Sequence, residues 1–190
     1  MRRCSLESPA GIEVRDRTRQ NPRIGNGSGI FHMGDNTFDG GCDCRAVRYR
    51  LHARPMFVHC CHCRWCQRES GTAFALNALI ETDRVEMLGG PVDVVDTPSN
   101  SGQGQRIARC PACRIALWSH YGGNPQLSFI RVGSLDEPDN FPPDIHIFTS
   151  TKQPWFQLPD GVPAVAEYYS SSKMWPAESL ERRKALFPPK

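Results

Sequence analysis

The sequence predicts an all-β domain. Three observations carry that expectation: many short apolar stretches with strand-like alternation, turn signals between them, and cysteines paired at very tight spacing. Sixteen prolines and sixteen glycines suit such a chain of short strands. Residues 45–52 alternate, with Val47, Tyr49 and Leu51 on one face and Arg48, Arg50 and His52 on the other. Residues 56–59 lead straight into CCHCRWC, and 74–80 form a second apolar candidate. Residues 92–95, 106–109, 115–120, 127–132 and 145–148 follow, separated by Gly89-Gly90-Pro91, the polar run 99–104, Gly122-Gly123-Asn124-Pro125 and the proline-rich 139–143. Trp118, Trp155 and the phenylalanines are expected to build the core. Two helices are expected: 64–69, stopped at Ser70-Gly71, and 177–187, opened by Pro176 and stopped by Pro188. The second has a weak apolar face and is expected to pack lightly.

At 190 residues, the chain predicts one domain with tails. Residues 1–36 are rich in Arg, Gly, Asn and Ser and read as a disordered leader, either a mobile tail or an extension ahead of a true start at Met33. Neither it nor Cys4 is assigned chemistry. The formal charge is +3, and residues 1–32 hold that whole surplus, leaving the body neutral. No basic surplus is therefore available for nucleic acid or anionic lipid. The N-terminus lacks the apolar stretch of roughly 7–15 residues of a signal peptide, and no run approaches the roughly 20 apolar residues of a membrane helix. A cytoplasmic location is the expectation.

Nine cysteines sit at 4, 42, 44, 60, 61, 63, 66, 110 and 113. An odd number at CxC and CxxC spacing points to metal ligands or redox groups rather than a disulfide scaffold. Cys42, Cys44, Cys110 and Cys113 supply four thiolates, the shell of a structural zinc tying an early strand to a late hairpin. Cys61, Cys63 and Cys66 supply only three. A three-ligand shell keeps one position for water or substrate, so this is the expected catalytic zinc. In an extended segment Cys61 and Cys63 share one face while Cys60 and His62 share the other. Cys60 then reads as a buried spare thiol, and His62 as a packing or hydrogen-bonding group. Two zinc ions per chain are expected. Three thiolates make the ion electron-rich, which favours thiol chemistry over hydrolysis.

GGCDCRAVRYRL, CHCRWCQRESGTAF, RCPACRIALW, IRVGSLDEP and HIFTSTKQPWFQLPDGVP, in this order, resemble the glutathione-dependent formaldehyde-activating enzymes, a family that includes centromere protein V-like proteins. The resemblance covers about residues 39–170, within an expected domain at 37–170 and ahead of a tail at 171–190. It implies a zinc-pinned β-tent of stacked antiparallel sheets, with the structural and catalytic zinc sites assigned above. The implied activity is carbon–sulfur lyase chemistry on a glutathione–aldehyde adduct, of the kind that makes and breaks S-hydroxymethylglutathione. No catalytic residue beyond the zinc ligands is assigned. His62, His120 and Tyr121 are candidate proton donors, and Arg64 and Arg68 are candidate partners for glutathione carboxylates. The sequence departs from the family at Arg45 and Arg114, where glycine is usual after the second cysteine of each structural pair. Two arginines there would offset the −2 charge of a four-thiolate zinc. Two other classes stay open: a non-catalytic zinc module that binds a protein, using the tail for docking, and a redox protein using Cys60–Cys61 or Cys63–Cys66.

Overall fold

The structure, a computed structural model, describes residues 36–187. Residues 1–35 of the expected leader, with Met33 and Cys4, lie outside the described residues, as does Pro188.

Ten strands form two sheets. The smaller sheet has the order β1-β2-β5, from β1 (Phe38–Gly41), β2 (Arg48–Leu51) and β5 (Val85–Gly89). The larger has seven strands in the order β10-β3-β4-β9-β8-β7-β6. These are β3 (Phe57–Cys61), β4 (Ala75–Glu81), β6 (Asp93–Thr97), β7 (Gln105–Arg109), β8 (Ala116–Tyr121), β9 (Leu127–Arg131) and β10 (Ile145–Ile147). All pairings are antiparallel except β10 with β3, which sets His146 beside Cys60. The fold is mainly β, as the alternation predicts. Eight strands overlap the predicted stretches within a few residues. The alternation misses β1 and β5, whose sequences FDGG and VEMLG carry no period of two.

The central strands of the larger sheet are buried, while its edge strand β6 is largely exposed. Val58, Ala78, Ile80, Leu117, Trp118 and Ile130 pack against Val47, Tyr49 and Leu51 of the smaller sheet. Full burial of such a side chain stabilises by roughly 1.5–3 kcal/mol. Gly40 is required at this seam. A Cβ there would lie 2.5 Å from the Tyr49 ring and 2.7 Å from the Ser134 carbonyl oxygen, and the buried Tyr49 hydroxyl bonds Ser134 Oγ at 2.7 Å.

The opposite face gathers Phe57, Cys61, Cys63, Cys66, Leu79, Ile145 and Ile147 with Trp175. It is roofed by α1 (Arg64–Ser70) and by the C-terminal segment with α2 (Ser171–Met174) and α3 (Ala177–Leu186). Helix α1 starts where Cys63 caps it, its Sγ accepting from the Cys66 N–H at 3.4 Å. It stops at Gly71, whose left-handed φ of 68° lets its N–H reach the Gln67 carbonyl at 2.9 Å.

Helix α3 is anchored, contrary to the expectation of light packing. Ser179 Oγ donates to the Met56 carbonyl at 2.7 Å, and Arg182 grips the buried Glu81 through Nε at 2.7 Å and through Nη2. Polar anchors do here what the weak apolar face cannot. Trp155 corrects a second expectation: it is 70% exposed, while Trp118 and Trp175 are in the core. Among the described residues, no helix is long and apolar enough to cross a membrane.

Candidate functional site

Two sulfur clusters form, at structurally different places. Cys42, Cys44, Cys110 and Cys113 come from the β1–β2 and β7–β8 turns, and their sulfurs all lie within 4.8 Å of one another. In both turns a backbone N–H faces the first cysteine's sulfur and the arginine N–H closes onto that cysteine's carbonyl, with different spans. Val47 N–H points at Cys42 Sγ (3.3 Å), and Cys113 N–H at Cys110 Sγ (3.5 Å). Each turn closes with a backbone bond of 3.0 Å, from Arg45 N–H to the Cys42 carbonyl and from Arg114 N–H to the Cys110 carbonyl. Arg45 and Arg114 adopt left-handed φ values of 61° and 65°, the conformation the usual glycine would take. The turns therefore keep their shape and carry strain of roughly 1–2 kcal/mol at each arginine. Arg114 Nη1 pairs with Asp93, so its charge is already engaged.

Cys61, Cys63 and Cys66 come from the end of β3 and the first turn of α1. Their sulfurs also lie within 4.8 Å of one another, and all three residues are buried. Their titration is a shared property. Hydrogen bonds from Cys61 and Cys66, with N–H groups of Trp65 and Cys66 at the helix start, pull the Cys63 thiol down to about 3. Donation to Cys63 and Cys66, with burial, pushes Cys61 up. Cys66 rises to about 12: interaction with Cys61 lowers it, and donation to Cys63, burial and the charge on Cys63 outweigh that. The three thiols share their protons, and a bound cation would take the place of those protons.

Both sets fit zinc by donor chemistry. A tetrahedral ion with sulfur bonds of about 2.3 Å needs sulfurs about 3.8 Å apart. Cys42–Cys44 and Cys44–Cys110 are separated by 3.4 and 3.6 Å.

A third group, Cys60, His62 and His146, lies on the opposite side of the cysteine segment, as the strand alternation predicts for Cys60 and His62. All three residues are buried. Its imidazoles meet through His62 Nε2 and His146 Nδ1 at 2.9 Å with ring centres 5.2 Å apart, a head-on N–H···N hydrogen bond. Burial pushes Cys60 up to about 12, and burial with the charge of His146 pulls His62 down to about 4. Cys60 is turned away from Cys61, its Sγ 3.5 Å from His62 Nε2.

The three-sulfur cluster forms part of the wall of a cavity of about 300 Å³. Trp65, Phe129, Ile147, Phe148 and Tyr168 make the rest of the wall apolar, and His59, Asn77 and Tyr121 add polar groups. Among the described residues, no Asp, Glu, Lys or Arg side chain lines it. Arg131 stands one step back, donating to Asn77 and to Ser119 Oγ (3.1 Å). Of the candidate proton donors, Tyr121 lines the cavity, its hydroxyl pushed up by burial. His62 does not, being engaged by His146. His120 lies elsewhere, bonded to Ser128 Oγ at 3.0 Å. Arg64 and Arg68 line a separate surface hollow with Gln153 and Trp155, and Arg64 donates to Gln67 at 2.8 Å. His59 was not among the candidates, although strand alternation sets it on the Cys61 face, two residues earlier.

A family model described as glutathione-dependent formaldehyde-activating enzyme matches residues 37–151, more than half of the chain. The chain belongs to that family. No curated protein matches it. Among solved structures, a crystal structure of a Rhodobacter sphaeroides protein is 18% identical, with a TM-score of 0.39 over 52% of this chain and 87% of that one. In this formaldehyde-activating-enzyme chain both sulfur clusters fall inside the matched span. Tyr168, which lines the three-sulfur cavity, Tyr169, which bonds His59, and Trp175, which bonds Tyr169, fall outside it.

Proposed function

We propose that the chain catalyses reversible carbon–sulfur bond formation between glutathione and an aldehyde, at a zinc held by Cys61, Cys63 and Cys66. A second zinc, held by Cys42, Cys44, Cys110 and Cys113, is structural. The observation that carries this reading is the convergence of three buried thiols on one wall of a cavity large enough for a small organic molecule. When bound there, zinc supplies positive charge that favours the ionised form of a substrate thiol at neutral pH.

The chain's own residues do the rest. Cys61, Cys63 and Cys66 are presented by a strand end and a helix start, both fixed by packing. Gln67 holds their backbone in place, donating from Nε2 to the His62 carbonyl (2.6 Å) and the Thr151 carbonyl (2.9 Å). The aromatic wall excludes water from the adduct, which strengthens every polar contact made inside. Away from the sulfurs, the described lining residues include no Asp, Glu, Lys or Arg, which leaves glutathione's carboxylates at the rim and turns its sulfur inward.

The test is turnover of wild-type protein with glutathione and a panel of aldehydes, read above the uncatalysed rate by exchange spectroscopy. Glutathione-dependent acceleration that disappears in Cys63→Ala is the expected result. Acceleration without thiol dependence, or none at all, would reject the reading.

A further inference from the structure

Behind the three-sulfur cavity runs a line of hydrogen bonds that starts at a group able only to donate. Trp175 Nε1–H can only donate, and it lies 2.6 Å from the Tyr169 hydroxyl oxygen. That hydroxyl has one other partner among the described residues, His59 Nε2, also at 2.6 Å. If His59 Nε2 carried a proton, the Tyr169 oxygen would accept twice and its own hydrogen would have no acceptor. Giving the Tyr169 hydrogen to His59 Nε2 supplies every hydrogen along the line with an acceptor; it runs the line from Trp175 to Tyr169 to His59 and, for a neutral ring, leaves the imidazole proton on Nδ1.

The ring is held in this orientation by its surroundings. Phe57, Tyr168 and Tyr169 pack around it, with ring centres 5.8, 6.0 and 5.5 Å away. His59 is buried in the protein and lines the cavity that holds Cys61, Cys63 and Cys66. Among the described residues Nδ1–H has no protein partner. It is an N–H donor of a cavity-lining ring, with its tautomer set from behind.

We propose that His59 donates this hydrogen bond to the oxygen that becomes anionic as the carbon–sulfur bond forms, and that Tyr169 and Trp175 are positioning residues holding His59 in the donor tautomer. The proposal rests on the carbon–sulfur reading above. In the step, the thiolate sulfur's electron pair forms the bond to carbon as the carbon–oxygen π pair moves onto oxygen. The proton lost from the thiol to water returns from water to that oxygen. Nothing is oxidised or reduced. His59 keeps its own proton throughout and acts as a neutral donor, the role a preorganised oxyanion site requires. The two positioning residues lie beyond the span matched by the family model, so the C-terminal segment would complete the site.

The experiment joins ring-nitrogen spectroscopy to kinetics on the full zinc-loaded chain. In wild type, ¹⁵N–¹H correlation of His59 should show a protonated Nδ1 and an accepting Nε2. Tyr169→Phe should mix the tautomers and lower kcat roughly 10-fold with KM little changed. His59→Phe, which preserves an aromatic ring in an aromatic nest, should lower kcat roughly 100-fold. His59→Gln, whose amide can both accept from Tyr169 and donate to the cavity, should recover part of that loss. A proton on Nε2 in wild type, or wild-type kcat in both Tyr169→Phe and His59→Phe, would overturn the proposal while leaving the carbon–sulfur reading intact. Absence of glutathione-dependent turnover in wild type would overturn the reading itself and this role with it. Should His59→Phe not fold, the wild-type tautomer and Tyr169→Phe decide.

Discussion

The two sulfur clusters use the same atoms for opposite ends. The four-cysteine cluster is assembled from two surface turns more than sixty residues apart, and one member, Cys44, is exposed. It supplies four sulfurs, and the hollow beside Cys42 is lined by charged side chains, Asp43, Arg45, Arg48 and Asp136. The three-cysteine cluster is assembled within six residues of chain, is buried throughout, and lines an apolar cavity. In the proposed reading, what separates a staple from a reactive centre is how many ligands are supplied and what the remaining direction faces. A closed four-sulfur shell gains loop-closing stability, whereas a three-sulfur shell on a cavity wall leaves access for substrate.

That contrast can be broken most forcefully at Cys110. Cys110→Ala should release one zinc and lower stability by several kcal/mol, seen as a large drop in the melting temperature, because the β1–β2 and β7–β8 turns lose their shared ion. A stable Cys110→Ala would remove the structural role. The next effect should come from the C-terminal anchor. Arg182→Ala leaves the buried Glu81 carboxylate without its main partner and should cost about 3 kcal/mol in denaturant melts.

The pH dependence of this pair has a definite sign. Burial raises the Glu81 carboxyl, but the hydrogen bond from Arg182 and the charges of Arg182 and Arg84 hold it below its ordinary value. A carboxyl depressed in the folded state contributes stability above its unfolded pKa, about 4.3, and loses it as the pH falls through the folded value. The gap between wild type and Arg182→Ala should therefore be full at neutral pH and close on acidification below about 4.3. A gap that is constant with pH would show that the pair contributes only packing.

The smallest effect should be at the turns. Arg45→Gly relieves a left-handed arginine and gives back part of the gain as unfolded-chain entropy, for a net stabilisation of about 0.5 kcal/mol. Arg114→Gly gains the same relief but loses the pair with Asp93, so its net change should be close to zero. Unchanged zinc retention in both variants would remove any charge-offsetting role for these arginines. Marked destabilisation by Arg45→Gly would remove the strain argument.

Much of the fold was legible because its period is local. Tyr49 and Leu51 alternate as written, and the Cys60/His62 and Cys61/Cys63 alternation puts the two groups on opposite sides of the chain. Spacing alone brings together residues as close as Cys61, Cys63 and Cys66. Strands β1 and β5 escaped because glycine and mixed polarity hide their alternation, and their pairing comes from tertiary contact with β2. The arginines at 45 and 114 gave no sign that the turns would stay left-handed. The cavity was out of reach for a different reason: Phe129, Ile147 and Tyr168 arrive from three distant segments. His59 alone had a local signal, its shared face with Cys61.

The most direct test of the division between staple and reactive centre is zinc content measured alongside glutathione-dependent turnover in wild type and Cys63→Ala. The account predicts two zinc ions per chain and turnover in wild type, then one zinc, a retained fold and no turnover in the variant. A Cys63→Ala protein that keeps both metals and its activity would contradict it.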